Sequence, residues 1–193
     1  MSAPEDSPRL AALLALAPLA DLPRTGWLQA GVAPGLAVES VAAHAHLTTL
    51  LALALAPAVE PPLDLGRCLA LCTVHDLAEA GLGDLPRAGS RALPPGAKAS
   101  AEAQLALDLT QGLGPGTAIL RAYWDEYAAA GSREARFARL CDKLQMGLRA
   151  LVLARAGHRG MGTFGESVAG LDCSGFEPCE SIRDELVTLL VTK

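Results

Sequence analysis

Leu71-Cys72-Thr73-Val74-His75-Asp76-Leu77-Ala78-Glu79-Ala80-Gly81-Leu82-Gly83-Asp84-Leu85-Pro86 opens as an apolar helix and then sets three titratable groups on it. On a continuous helix Glu79 lies one turn beyond both His75 and Asp76, so the three share one patch. An unpaired carboxylate in an apolar interior is strongly unfavourable. Asp76 therefore needs water, a cationic partner or a metal, and a divalent metal meets the need best.

The surrounding chain suits a helical host for that patch. Its 193 residues fit one domain with a sizeable core. Hydrophobic residues make up 51% and aromatics 4%, with Ala and Leu dominant, a mix that favours helices over strands. An all-α fold is expected. Sixteen basic against 21 acidic side chains give a net charge of −5 without a basic cluster, which argues against binding a nucleic-acid polymer. Residues 1–8 hold Glu5 and Asp6 and lack the positive start of a signal peptide, so secretion is disfavoured. The apolar run 47–59 falls short of the ~20 residues of a spanning helix and reads as a buried core helix, not a membrane segment. Five cysteines without a secretion signal point to reduced thiols in a cytoplasm.

Going outward in both directions, Leu10, Leu13, Leu14, Ala17 and Leu19 make a helical apolar face over residues 9–20. A turn at 24–27 and a Gly- and Pro-rich segment at 31–35 follow. Helices are expected at 39–55 and from near Asp64 to Gly81 or Gly83. The stretch 84–95 reads as a loop placed to cover a substrate. Further helices are expected at 99–113 and 118–130, and one starting at Ser132 as N-cap, with Phe137, Leu140, Cys141, Leu144 and Leu148 on its core stripe and Asp142 beside it. The glycine-rich stretch 157–178 reads as a loop, and 180–191 as a closing amphipathic helix. No repeat and no second domain are visible.

The adjacent His75-Asp76, with His44 in Glu39-Ser40-Val41-Ala42-Ala43-His44 before it and Asp142 in Phe137-Ala138-Arg139-Leu140-Cys141-Asp142-Lys143-Leu144 after it, resembles the metal-ligand pattern of the HD-domain phosphohydrolases. The run from His75 to Ala80 followed by Gly83-Asp84-Leu85-Pro86, together with Arg24-Thr25-Gly26-Trp27 and Trp124-Asp125-Glu126-Tyr127, is similar to the 5'-deoxynucleotidase branch over roughly residues 23–150. That resemblance implies a single-domain HD helical bundle and a metal-dependent phosphomonoesterase acting on nucleoside 5'-monophosphates, 2'-deoxyribonucleotides foremost. It also implies a homodimer. By resemblance His44, His75, Asp76 and Asp142 hold the metal, Glu79 handles the proton of the attacking water, Arg24 meets the phosphate, Trp27 the sugar face and Asp84 the sugar.

Ligands of mixed N and O type without thiolate suit Mn, Fe, Co, Ni or Zn more than a dedicated Mg site. Each assignment has a plainer rival. His46 competes with His44, although the register selects His44. Asp142 could pair with Lys143, Arg139 or Arg149, and Asp84 could be a turn residue. Gln145 stands where the family often has an acidic residue. Cys68 and Cys72 read as buried small hydrophobes, since a zinc shared with His75 would conflict with the HD pattern; Cys173 and Cys179 could join only if oxidised. Trp124, Glu126 and Tyr127 read as packing and helix-pairing residues. Two other functions stay open: a hydrolase of another small phosphoester, and a non-catalytic metal- or nucleotide-binding domain.

Overall fold

The computed structural model describes residues 6–33 and 38–191, so the segments read at 1–8 and 31–35 lie partly outside the described residues. Among the described residues every regular element is helical; Pro23 and Ser40 form an isolated antiparallel bridge.

The longest helix is the one started by Ser132, and we label the helices in chain order around it. They are α1 (Pro8–Leu16), α2 (Thr25–Gln29), α3 (Val41–Leu55), α4 (Leu65–Val74), α5 (Glu79–Leu82), α6 (Arg87–Ala92), α7 (Ala97–Thr110), α8 (Pro115–Ala129), α9 (Arg133–Arg155), α10 (Gly162–Ala169) and α11 (Glu177–Val191). Ser132 Oγ accepts from Ala135 N at 3.0 Å, satisfying one of the free amides at the start of α9. Ser40 does the same for α3 and Asp64 for α4.

The α9 stripe of Phe137, Ala138, Cys141 and Leu144 is fully buried, against Cys68, Leu71 and Cys72 of α4 and Cys179 and Leu186 of α11. Phe137 and Phe176 rings meet with centroids 5.8 Å apart. Gly147 lets α9 approach α10 and α11, because a Cβ there would lie 2.8 Å from Val168 Cγ2 and 3.0 Å from Leu186 Cδ1. All five cysteines are buried and free, as small hydrophobes should be.

Helix α3 packs against both α4 and α9. The run Val41–Ala58, 18 residues of mean hydropathy 1.5, is long and apolar enough to cross a membrane by length and composition alone, which the narrower window 47–59 did not register. Its buried residues include His44, Thr48 and Ala52, which point toward the other helices.

The structure departs from the sequence reading at several places, among them the run 47–59, expected as a buried core helix, where Leu47, Leu50 and Leu53 are exposed. The decisive stretch is not one helix: α4 stops at Val74, residues 75–78 form turns, and α5 resumes at Glu79. His75 Nδ1 donates to Cys72 O at 2.7 Å, taking the carbonyl that the Asp76 amide would use in a continuing helix, and the amides of Leu77 and Glu79 tighten onto residues three back. Helix α3 begins at Val41, leaving Glu39 outside it. Residues 25–29 wind into α2 where a turn was expected. The loop at 84–95 contains α6, which Arg and Ala favour once Pro86 has set the chain direction. The 157–178 loop contains α10, because Met161, Phe164 and Val168 recur at helical spacing and pack inward despite the glycines between them.

Candidate metal centre

Three helices and one turn deliver the predicted donors to one point. His44 on α3, His75 at the end of α4 and Asp142 on α9 are all buried, and one donor atom from each lies within 4.8 Å of the others. His44 Nε2 is 3.2 Å from His75 Nε2 and 3.2 Å from Asp142 Oδ1. Asp76 Oδ2 lies 3.1 Å from His75 Nε2 and 3.7 Å from His44 Nε2. Atoms that share one ion at about 2.0–2.2 Å are themselves roughly 3–3.5 Å apart. The donor set fits a divalent metal on that ground.

Proton positions sharpen the fit. Gln145 Nε2 must donate to Glu39 Oε2, at 3.0 Å, so the amide oxygen faces His44, and His44 Nδ1 donates to it at 2.5 Å. His75 spends its Nδ1 proton on Cys72 O. In the neutral imidazoles both Nε2 atoms are then bare lone pairs facing each other at 3.2 Å, beside two carboxylates. Such a point demands a positive charge. Burial pulls the His75 imidazole down, but Asp76, by charge and hydrogen bond, and Asp142 outweigh it and raise it to about 9. A metal answers the same demand.

The carboxylates around this point divide by environment. Burial would raise Asp76, yet His75, Arg24 and His44 hold it well below the usual range. Burial likewise opposes Asp142, which Lys143 and the two histidines hold down. Glu79 goes the other way: burial and the adjacent Asp76 charge push it up to about 8 against the pull of Arg24. One buried carboxyl near neutrality beside ionised ones is the pattern of acid–base machinery.

Arg24 clamps this acidic wall through one nitrogen, Nη1, which lies 3.0 Å from Asp76 Oδ2, 3.4 Å from Glu79 Oε2 and 2.8 Å from Asp84 Oδ1. Its other terminal nitrogen meets Met146 Sδ at 3.8 Å. Gly83, with φ of +81°, turns the chain after α5 so that Asp84 faces back. Asp84 Oδ2 accepts from Thr25 N at 2.5 Å and from Thr25 Oγ1 at 2.6 Å, which pins the start of α2 to the site.

A cavity of about 700 Å³ opens over these groups, with Arg24, Asp76, Glu79, Asp84 and Asp142 in its lining. Trp27 borders it but is 2% exposed: its indole N–H donates to Glu39 Oε1 at 3.0 Å, and Phe164 lies over its ring at 4.4 Å between centroids. His46 is exposed, whereas His44 is buried.

Sequence reasoning missed Gln145 and Glu39 as the support of His44, Phe164 as a cavity wall, and Tyr127. The Tyr127 hydroxyl donates to Asp142 Oδ2 at 3.0 Å, and burial together with the Asp142 and Asp76 charges keeps its phenol protonated, well above its ordinary range.

The HD domain family model matches residues 17–170. The cattle protein named 5'-deoxynucleotidase HDDC2 is 34% identical over 131 residues, which is 67% of this chain and 60% of its own length. The Schizosaccharomyces pombe 5'-deoxynucleotidase hdd1 is 31% identical over 136 residues, 68% of this chain and 65% of its own. The chain thus spans 60% to 65% of the length of these curated relatives. Among solved structures, the PH0347 protein from Pyrococcus horikoshii OT3 superposes with a TM-score of 0.77 at 28% identity, covering 93% of this chain and 99% of that one. A predicted metal-dependent phosphohydrolase from Magnetospirillum magnetotacticum MS-1 shares the fold, with a TM-score of 0.63 at 23% identity over 93% of this chain and 96% of that one.

Proposed function

Because the chain belongs to the HD domain family, we propose that it is a metal-dependent phosphomonoesterase, a single HD domain over residues 1–193 that hydrolyses nucleoside 5'-monophosphates, 2'-deoxyribonucleotides foremost, to nucleoside and phosphate. The observation that carries this reading is the pair of imidazole Nε2 atoms 3.2 Å apart with Asp76 and Asp142 beside them. The relatives' name, 5'-deoxynucleotidase, supports the substrate class.

His44, His75, Asp76 and Asp142 would hold the ion, whose N and O donors suit Mn, Fe, Co, Ni or Zn more than Mg. When bound, such an ion lowers the pKa of a water and draws charge from a phosphoryl oxygen. Glu79 takes the proton of the attacking water and returns it to the leaving 5'-oxygen, a task for which a carboxyl raised to about 8 is suited. Arg24 turns its Nη2 side, not committed to a carboxylate, toward the phosphate. Asp84 and Phe164, which covers the buried Trp27 indole, form the wall against which the sugar lies; Trp27 thus backs the sugar site from behind Phe164 and does not meet the sugar face itself.

The test is phosphate release from the four 2'-deoxynucleoside monophosphates beside AMP, a sugar phosphate and a cyclic dinucleotide, with Mn²⁺, Co²⁺ and Mg²⁺ in turn. Deoxynucleotides are expected to give the highest kcat/KM, and a chelator to abolish release. Metal-loaded protein that releases no phosphate from any nucleotide would overturn the reading.

We further propose a homodimer in the cytoplasm, with no membrane or nucleic-acid partner. The support for the dimer is the outward face of α3, where Leu47, Leu50 and Leu53 are 44%, 45% and 46% exposed. Light scattering should give about twice the 19.9 kDa chain mass; the mass of one chain would contradict it.

A further inference from the structure

We propose that Tyr127 is a positioning residue for the metal centre: its hydroxyl occupies Asp142 Oδ2 so that Oδ1 alone is offered to the ion. The inference rests on the metal reading above and adds a residue to it. Asp142 Oδ2 accepts from Tyr127 at 3.0 Å and pairs with Lys143 Nζ at 2.8 Å, whereas Oδ1 faces His44 Nε2 at 3.2 Å. With one oxygen doubly engaged, the carboxylate is fixed in rotation about its last bond.

Tyr127 is itself held from several sides. Its ring lies 5.3 Å from the His75 ring, and the Arg139 guanidinium sits 5.7 Å from its centroid on α9. The end of α8 that carries it is tied to α4 by Arg67 and Glu126, with Nε to Oε1 at 2.8 Å, and to α9 by Ser132 Oγ donating to Glu126 Oε1 at 2.5 Å. Ala130, at φ of 51°, closes that end by donating its amide to Glu126 O and Tyr127 O. The phenol therefore joins the three helices α4, α8 and α9 at the ligand that comes last in the chain. Of its two partners, Lys143 has the more exposed and flexible side chain, at 45%. Tyr127 is the rigid one.

The consequence concerns coordination. An Asp142 freed at Oδ2 can rotate and present both oxygens, taking up space that solvent or a phosphoryl oxygen needs. The test compares the wild-type protein with Tyr127→Phe, which keeps the ring and its packing, by titration with Co²⁺ and by visible absorption of the Co²⁺-loaded protein. The expected result is Co²⁺ affinity lower by roughly 10-fold or more, a changed Co²⁺ absorption envelope, and metal-free melting that stays cooperative and falls only by what one buried hydrogen bond contributes. Unchanged affinity and an unchanged Co²⁺ spectrum would overturn the positioning role while leaving the metal reading intact. Failure of the wild-type protein to take up Co²⁺ would overturn the metal reading itself.

Discussion

Replacing Asp76 by alanine is expected to strip the protein of its metal and of its phosphatase activity together. The Asp76 carboxylate is the meeting point of the site: Oδ2 lies 3.1 Å from His75 Nε2, 3.7 Å from His44 Nε2 and 3.0 Å from Arg24 Nη1. Losing one of four ligands should weaken the hold on the ion by at least the roughly 10- to 100-fold that loss of an outer-shell partner costs. Arg24 keeps Glu79 and Asp84, so the cavity wall should hold its shape. Metal analysis after dialysis, with the parent protein alongside, checks the loss. Retention of a full equivalent of metal would show that Asp76 is not a ligand.

Replacing Glu79 by glutamine separates proton transfer from metal binding. Glu79 is 7% exposed, and its Oε2 lies 3.4 Å from Arg24 Nη1, outside the group of donors that meet at His44. The amide keeps the shape and removes a carboxyl whose neighbour Asp76 disfavours its ionisation. Metal content and melting temperature should therefore stay at parental values or rise. Turnover should fall by about 10²- to 10⁴-fold, the usual share of a positioned acid or base. The sign with pH follows from the role. As proton acceptor Glu79 works ionised, so the wild-type rate should climb as rising pH removes the Glu79 proton, and Glu79→Gln should lose that limb.

The parts of the fold that the sequence displayed are those with strong periodicity or an explicit cap. Ser132 before α9, and the apolar stripe of Phe137, Leu140, Cys141 and Leu144, announced the longest helix and left Asp142 at its edge. The resemblance then picked His44 over His46, and the structure buries the first and exposes the second. Glycine masked α10, since Gly162, Gly165 and Gly170 dilute a pattern that Met161, Phe164 and Val168 still carry. The break after Val74 was hidden for a different reason. It depends on a side chain, His75, competing for a backbone carbonyl, and periodicity reports nothing about that competition.

Supporting residues were the least legible. Gln145 reaches His44 across 101 positions and Glu39 across 106, so no local pattern could join them. Glu39 serves two masters, accepting from Trp27 Nε1 and from Gln145 Nε2, and this buried carboxylate explains why Trp27 faces inward and does not lie open to the cavity. Tyr127 looked like packing because its ring does pack, on His75 and Arg139. Only the position of its hydroxyl reveals the second task.

Anomalous diffraction from crystals grown with Mn²⁺ or Co²⁺ tests the central claim most directly. A single strong peak is expected within about 2.0–2.3 Å of His44 Nε2, His75 Nε2, an oxygen of Asp76 and Asp142 Oδ1. A peak elsewhere on the chain, or a fully formed cluster of these four side chains with no ion at millimolar metal, would contradict it.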